Sequence, residues 1–576
     1  MLFTFQKIKR KEIIKTFLTP LLSLIAITVF SYWAVKPLFI SGFFPTHDDT
    51  APSRVYEMAK ALSYGQIPPR WVPDLGYGYG YPLFNFYAPL PYYLGGVLNL
   101  FGVSAIFSTK IMFLVGILLS GFSMYFFIKE FSNEIVALAV ATVYIYVPYH
   151  AVNIYVRGAV GEYYAYGFLP ILFLGIYKIL INKDFKKGLL VCSLGLCGIL
   201  LSHNILGLIT GYFLLIGLFF YFIYVLFTHK SFQIFYFIIL AIFLGFSLSA
   251  FFTIPAIFEK KYTKVESLTK GGSDYHNHFV YARQLWDSPW GYGGSAKGEE
   301  DGMSFKIGKI QIVLGTLGLI IFLYFFKKNK KDYIFFCFLI SILLLSIFFM
   351  LQESLLLWEL LPGFSYIQYP WRFLNYAGFC FVVFISFIFL PFKKRWQIII
   401  SIGIIFITLW FSAKYFSPQQ YLLLKDHDYT SDLNLRYKIS KISDEYLPNN
   451  FPPINSPQEI AEESLSSTPE VNIKKIKDEP TFKKYDMYVA NPTTFITKIS
   501  FFPRWRAFID NEEVDIKDNN GRIQIFLPEG QYQLKFVFTD TLLRKFANTI
   551  SVLAAFLLVY VSLFWKIVTY DKKKNN

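Results

Sequence analysis

Two acids follow a histidine near the start of the chain, in the run Thr46-His47-Asp48-Asp49-Thr50. Such a run can supply a general base, ligate a metal ion, or begin the next segment, APSRVYEMAKAL, as a helix cap at Asp49 or Thr50. A cap needs one such side chain, so capping does not account for both acids. The run Tyr155-Val156-Arg157-Gly158-Ala159, with Glu162 behind it, offers a permanently charged guanidinium that can hold two phosphate oxygens or anchor to a headgroup. Ser202-His203-Asn204 interrupts two apolar blocks with three polar residues, which is either a functional insertion or a satisfied packing turn. A longer stretch carries His276, His278, Arg283 and Trp290, and a further one carries Gln368-Tyr369-Pro370-Trp371-Arg372. Two histidines two residues apart are weak metal ligands by spacing alone, so His276 and His278 join Asp48 and Asp49 only as candidates. The alternating glycines and tyrosines of Asp74-Leu75-Gly76-Tyr77-Gly78-Tyr79-Gly80-Tyr81 suit either an aromatic sugar contact or an ordinary turn-rich loop.

The elements that must position these residues are apolar. Of 576 residues, 55% are hydrophobic and 16% charged, too little charge to keep a soluble surface wetted. The apolar residues form about twelve blocks, near 16–35, 109–128, 134–149, 164–181, 188–203, 206–227, 233–255, 309–326, 333–352, 374–391, 397–413 and 546–565. Blocks of about 20 residues match a hydrocarbon core of ~30 Å. The first has no small-residue cleavage signature and reads as a retained helix. Residues 83–104 are apolar too, but Pro89 and Pro91 break their ladder, which predicts an interfacial or re-entrant helix.

Charge then assigns the sides. Basic residues occupy alternate turns: the N-terminus, Lys129, Lys183/Lys186/Lys187, Lys230, Lys327 to Lys331, Lys393/Lys394/Arg395 and the tail at Lys572 to Lys574. The positive-inside rule puts these turns and both termini in the cytoplasm and the polar clusters outside. That topology explains the net charge of +16 without nucleic acid as a partner. Cys192, Cys197, Cys337 and Cys380 all lie inside apolar blocks, so neither a disulfide framework nor a zinc site is expected. The expected organisation is a transmembrane domain at 1–414 with outer loops 36–107 and 256–308, a β-rich domain at 415–544, and a last helix with a basic tail at 545–576. The β reading rests on TFITKISFF, RIQIFLPEG and QYQLKFVF, which alternate apolar and polar residues between turns, with Tyr532, Leu534, Phe536 and Phe538 on one face.

Taken in order, the HDD run, PPRWVPDLGYGYGYPLFNFYAPLPYYLG, YVRGAVGE, LSHN, HFVYARQLWDSPWGYGGS with DGMSF, QYPWRF, EYLP and FFPRWRAFIDNEEV resemble the bacterial membrane proteins labelled 6-pyruvoyl-tetrahydropterin synthase-related. That group is similar to the YfhO-like proteins and, more distantly, to the GT-C superfamily of glycosyltransferases. The resemblance implies a GT-C-like polytopic α-helical fold of about twelve spans with a small extracytoplasmic β-sandwich-like domain before the last one. It implies no pterin chemistry, because a zinc-dependent pterin synthase needs a three-histidine site that the chain does not offer.

The GT-C pattern further implies a catalytic acid just after the first helix, at Asp48 or Asp49, and transfer of a sugar from a polyprenyl-phosphate donor to an envelope glycan, lipid or protein acceptor. Substrate and phosphate would be bound among His47, Arg157, Glu162, His203, Asn204, Arg283, Trp290, Gln368 and Arg372. A divalent metal, Mg or Mn, remains open. The expected location is the cytoplasmic membrane, with the active site outward. A transporter or flippase for a lipid-linked glycan would carry polar residues in mid-helix, whereas here they gather at helix ends. A non-catalytic envelope assembly protein would survive replacement of both acids.

Overall fold

The computed structural model describes residues 18–229, 231–326 and 333–564. The basic N-terminus, Lys230, the Lys327 to Lys331 turn and the lysine tail lie outside the described residues. The chain is mostly helical, and among the described residues nine helices are long and apolar enough to cross a membrane, or eleven if each of two bent pairs counts as one span. The first pair is α1, Leu18–Phe30 with Tyr32–Phe39, bent by 51° where the Ser31 hydroxyl donates to the Thr28 carbonyl.

Two shorter helices follow, α2 (Ala51–Ser63) and α3 (Leu90–Leu100). At 11 residues α3 spans ~16 Å, about half a bilayer core. Then come α4 (Ala105–Lys129) and the second bent pair, α5 (Glu134–Ile145 with Pro148–Val156), broken where Pro148 has no N–H to donate. The bundle continues with α6 (Val160–Tyr177), α7 (Phe185–Ser202), α8 (Asn204–Thr228), α9 (Gln233–Phe258), the shorter apolar α10 (Lys309–Phe326), α11 (Tyr333–Met350), α12 (Pro370–Phe389) and α13 (Lys394–Ser412).

The apolar window of α12 is wholly buried, so this helix is the axis of the bundle. Aromatic rings fill the space around it. Phe379 stacks on Phe173 at 4.9 Å, and Tyr144 and Tyr166 stack at 4.0 Å while each hydroxyl donates to the other's carbonyl.

Beyond α13, residues 416–447 run back over the first loop as a strap. The Leu422 and Phe43 backbones pair at 2.8 and 2.9 Å, and the Asp426 carboxylate accepts from the Ala105 and Ile106 amides, capping α4. The β domain follows as two antiparallel sheets. One has the order β1 (Val471–Asp478), β2 (Phe482–Val489), β8 (Gly530–Phe538), β4 (Trp505–Ile509), β5 (Glu512–Val514); the other runs β3 (Thr493–Ser500), β7 (Arg522–Leu527), β6 (Ile516–Asn519). Period-2 burial gives each sheet an apolar face: Tyr532, Leu534 and Phe536 on β8, and Ile523, Ile525 and Leu527 on β7.

The last helix, α14 (Leu542–Phe564), is keyed to the bundle by charge. Fully buried Arg544 donates to Glu259 at 2.9 Å, and Glu259 also accepts from Asn85 at 2.8 Å. Arg70 adds Asn85, Asn548 and Asp540 to the same network. Because every charge in this knot has a partner, breaking one leaves another buried and unpaired, a cost of about 3–5 kcal/mol.

Candidate functional site

The Tyr/Gly loop, open in sequence between sugar contact and turn, is a docking seam. The Tyr77 carbonyl accepts from Ala461 N at 2.9 Å, the Tyr79 carbonyl from Ser500 N at 3.0 Å, and Trp71 meets Trp505 edge-on at 5.2 Å. The loop thus grips the β domain and does not line the main cavity.

That cavity, of about 1330 Å³, gathers most of the polar clusters. Backbone pairing builds its mouth: His47 N donates to the Val156 carbonyl at 3.0 Å and Asp48 N to the Arg157 carbonyl at 2.9 Å, which sets Asp48 beside Arg157. The pairing needs Gly158, whose φ of +67° is left-handed and whose added Cβ would meet Thr46 Oγ1 at 2.3 Å. Gly161 matters likewise, since a Cβ there would lie 2.2 Å from the Ser202 carbonyl oxygen. Its absence lets α6 close on the turn between α7 and α8, bringing His203 to the Arg157–Glu162 region.

Glu162 is fully buried and works from behind the wall. Its Oε2 accepts from Arg157 at 2.8 Å and lies 3.4 Å from Arg372 Nε, while its Oε1 accepts from Tyr149 at 2.7 Å and Asn375 at 2.9 Å. One carboxylate therefore fixes two guanidiniums, both of which line the cavity. Arg157 also donates to Asn153 at 2.7 Å, and Arg372 to the Ile367 carbonyl at 2.6 Å and to Gln368 Oε1 at 3.0 Å. Two guanidiniums thus face the cavity from this wall and Glu162 holds both rigid, as an anion site requires. The Glu162 carboxylate holds Arg157 well above the ordinary arginine range against the pull of burial.

His203 caps α8 by accepting from Leu206 N through Nδ1 at 3.1 Å, so the ring hydrogen sits on Nε2. Burial, assisted by Arg372, pushes its pKa down to about 3, and the imidazole is a neutral donor at working pH. Asn204 lines the cavity while donating to the Phe86 carbonyl at 2.9 Å, and Gln368 does so while donating to the Leu268 carbonyl at 2.8 Å. His47 also lines it, with Nε2 donating to the Tyr292 carbonyl at 2.9 Å.

Several expected members lie elsewhere. Asp49 is not on the cavity wall: its Oδ1 accepts from Tyr429 of the strap at 2.9 Å, and burial raises its pKa to about 6. Arg283 points to solvent with 83% of its side chain exposed, 3.9 Å from Glu299, and Trp290 packs against Tyr415 at 4.7 Å; neither lines the cavity. His276 is engaged with Asp274 at 2.6 Å. His278 does reach the cavity, but both ring nitrogens are taken, by Ser295 and the Gly272 carbonyl. Among the described residues, no three His, Cys, Asp or Glu side chains group to hold a metal ion.

The cavity also has members the sequence did not single out. Arg54, Tyr87, Lys260, Glu445 and Tyr446 contribute, and Asn153, Tyr149 and Asn375 support the arginines. A signal existed for Arg54, a charge in a helix next to the membrane, but Glu445 lies nearly 400 residues from Asp48 and only the strap brings it back. Below the polar mouth the wall turns apolar along α8, α9 and α7. Leu208, Gly211, Leu215 and Leu218 share one face of α8 over ~15 Å, opposite Ile242 and Phe246 of α9. A Cβ built on Gly211 meets nothing within 4 Å, so the cleft between α8 and α9 is open there.

Comparison with known proteins bears out the resemblance read from the motifs. Residues 84–271 match the family described as 6-pyruvoyl-tetrahydropterin synthase related domain, membrane protein. An uncharacterized protein of Lactococcus lactis subsp. cremoris (strain MG1363) is 26% identical over 329 residues, covering 54% of this chain and 51% of its own. The chain therefore spans about half the length of the curated relative it matches. Among solved structures, the cryo-EM structure of the arabinofuranosyltransferase AftD from mycobacteria aligns with a TM-score of 0.42 at 11% identity, over 70% of this chain and 27% of that one. The chain is a membrane protein with many apolar helices and a C-terminal β-sheet domain.

Proposed function

We propose that this protein is a GT-C-type glycosyltransferase that moves a sugar from a polyprenyl-phosphate donor to an envelope glycan, lipid or protein on the outer face of the cytoplasmic membrane. One observation carries the reading: a single cavity joins an acid and two fixed arginines to an apolar cleft that descends between membrane helices. Its polar end suits a sugar phosphate and its apolar end suits a hydrocarbon chain, a combination that a water-soluble nucleotide sugar would not need.

In this reading the isoprenoid lies along Leu208, Gly211 and Leu215, and its phosphate meets Arg157, Arg372 and the His203 Nε2–H. Asp48 takes the proton of the acceptor hydroxyl as that oxygen bonds to the sugar C1. The C1–O bond to phosphate breaks, and its electron pair stays on the phosphate oxygen, where the guanidiniums stabilise it. Glu162 keeps both arginines in place and takes no proton. Asp48 and the donor phosphate would together hold a divalent ion if the reaction uses one, since Mg and Mn bind through one or two carboxylates and substrate phosphates. Basic turns at Lys129, Lys183 to Lys187 and Lys393 to Arg395 support the outward orientation.

The test is transfer by purified protein in nanodiscs from a panel of polyprenyl-phosphate sugars, with and without EDTA. Release of polyprenyl phosphate with glycosylated product is the expected result, and the EDTA arm reads whether a divalent ion takes part. No turnover across the panel, with the donors moved intact between leaflets of proteoliposomes, would replace this reading with the transporter.

A further inference from the structure

The cavity has a second polar face that the phosphate does not use. Arg54 of α2 is 5% exposed and lines the cavity. Its Nη2 donates to Ser443 Oγ at 3.0 Å, and its guanidinium lies 3.9 Å from the centre of the Tyr87 ring. The Ser443 hydroxyl in turn donates to Glu445 Oε1 at 3.1 Å; burial raises the Glu445 carboxyl above its ordinary range, and Arg54 is the charge that opposes this. Glu445, Tyr87 and Tyr446 all line the cavity with Arg54. Tyr446 is stacked by two rings, Phe86 at 5.7 Å and 11° and Tyr81 at 5.9 Å and 29°.

A carboxylate and a guanidinium fixed in one chain of hydrogen bonds is the chemistry that binds a polyol: the charged groups take hydroxyls, and Tyr87 and Tyr446 border them as rigid walls. It is a poor second phosphate site, because Glu445 opposes Arg54. Glu445 and Tyr446 come from the strap, while Arg54 and Tyr87 come from the first loop, so the face forms only when the strap is closed over that loop.

The geometry points to the Arg54–Glu445 face as a carbohydrate subsite that receives the acceptor glycan. The assignment rests on the transferase reading for the word acceptor, but the binding of sugar does not. It also gives the strap a task, since the segment leading to the β domain completes the site.

Saturation-transfer difference NMR on the full chain in nanodiscs tests it, with maltotriose, cellotriose and a rhamnose trisaccharide as probes. At least one trisaccharide binds wild type, and its affinity falls at least tenfold in Glu445→Gln and in Arg54→Lys, each checked by thermal melting for an intact fold. Arg54→Lys keeps the charge but loses the paired geometry, so it reports on the face even if Glu445→Gln does not fold. Absence of binding by all three probes, or equal affinity in wild type and a folded variant, overturns the subsite. Binding that depends on Glu445 in a protein that transfers no sugar would sink the transferase reading and leave the subsite standing.

Discussion

Asp48 and Asp49 are neighbours with opposite surroundings. Asp48 opens onto the cavity beside Arg157, whereas Asp49 is bound to Tyr429 and holds the strap down. Burial raises Asp49 from the ordinary 3.8 to about 6, against the Tyr429 hydrogen bond. Between those values the folded chain keeps a proton that the unfolded chain has released. Ionising the buried Asp49 therefore costs stability, a cost absent below about pH 4 and fully present once pH has risen through 6. Asp49→Asn, which is always neutral and still accepts from Tyr429, is therefore expected to gain on wild type as pH rises. Melting curves at pH 4 and pH 7 check this; a melting-temperature difference that does not move toward the variant at pH 7 contradicts it. The histidine-acid run was legible in sequence as a candidate, but the different surroundings of its two acids were not. Which acid faces the cavity depends on Tyr429, 380 positions away along the chain.

At the scale of elements, the proposed lipid-linked donor rests on the α8–α9 cleft. A Cβ added at Gly211 would meet nothing within 4 Å, so Gly211→Leu places a side chain into the cleft without straining the helix. The variant is expected to raise KM at least tenfold for a long-chain polyprenyl donor and to change it little for a donor with one isoprene unit. Parallel titrations of the two donors measure the effect, and equal changes would remove the cleft from the account.

The apolar blocks, the break between Ser202 and Asn204, and the strands around Tyr532 to Phe538 were readable, because hydrophobic periodicity and punctuation are local; the bend at Pro148, inside one apolar block, was not. Residues that join distant elements were not. Arg283 and Trp290 share the composition of Arg372 and Trp371, yet their loop carries them away from the cavity, and nothing in their own neighbourhood marks the difference. The docking role of the Tyr/Gly loop was likewise hidden, since its partners Ala461, Ser500 and Trp505 belong to the β domain.

The whole molecule is one cavity closed by a strap and steadied by a domain. The β domain contacts the first loop through Trp71 and Tyr79, and α14 is keyed to α9 through Arg544 and Glu259. Domain, strap and cavity mouth must therefore share one side of the membrane, the outer side in the proposed orientation. Lys475→Cys on the exposed strand β1 is expected to react with a membrane-impermeant maleimide in intact cells, while Lys186→Cys in a basic turn reacts only after permeabilisation. The opposite pattern would invert the topology and place the site in the cytoplasm.

The most direct test of the central claim sets Asp48→Asn beside Asp49→Asn in the nanodisc transfer assay. The account predicts that Asp48→Asn lowers transfer by a factor of about 10²–10⁴ with donor binding kept, the usual loss for a general base, and that Asp49→Asn keeps most of its turnover. Equal turnover in wild type and Asp48→Asn, or a larger loss in Asp49→Asn, would contradict it.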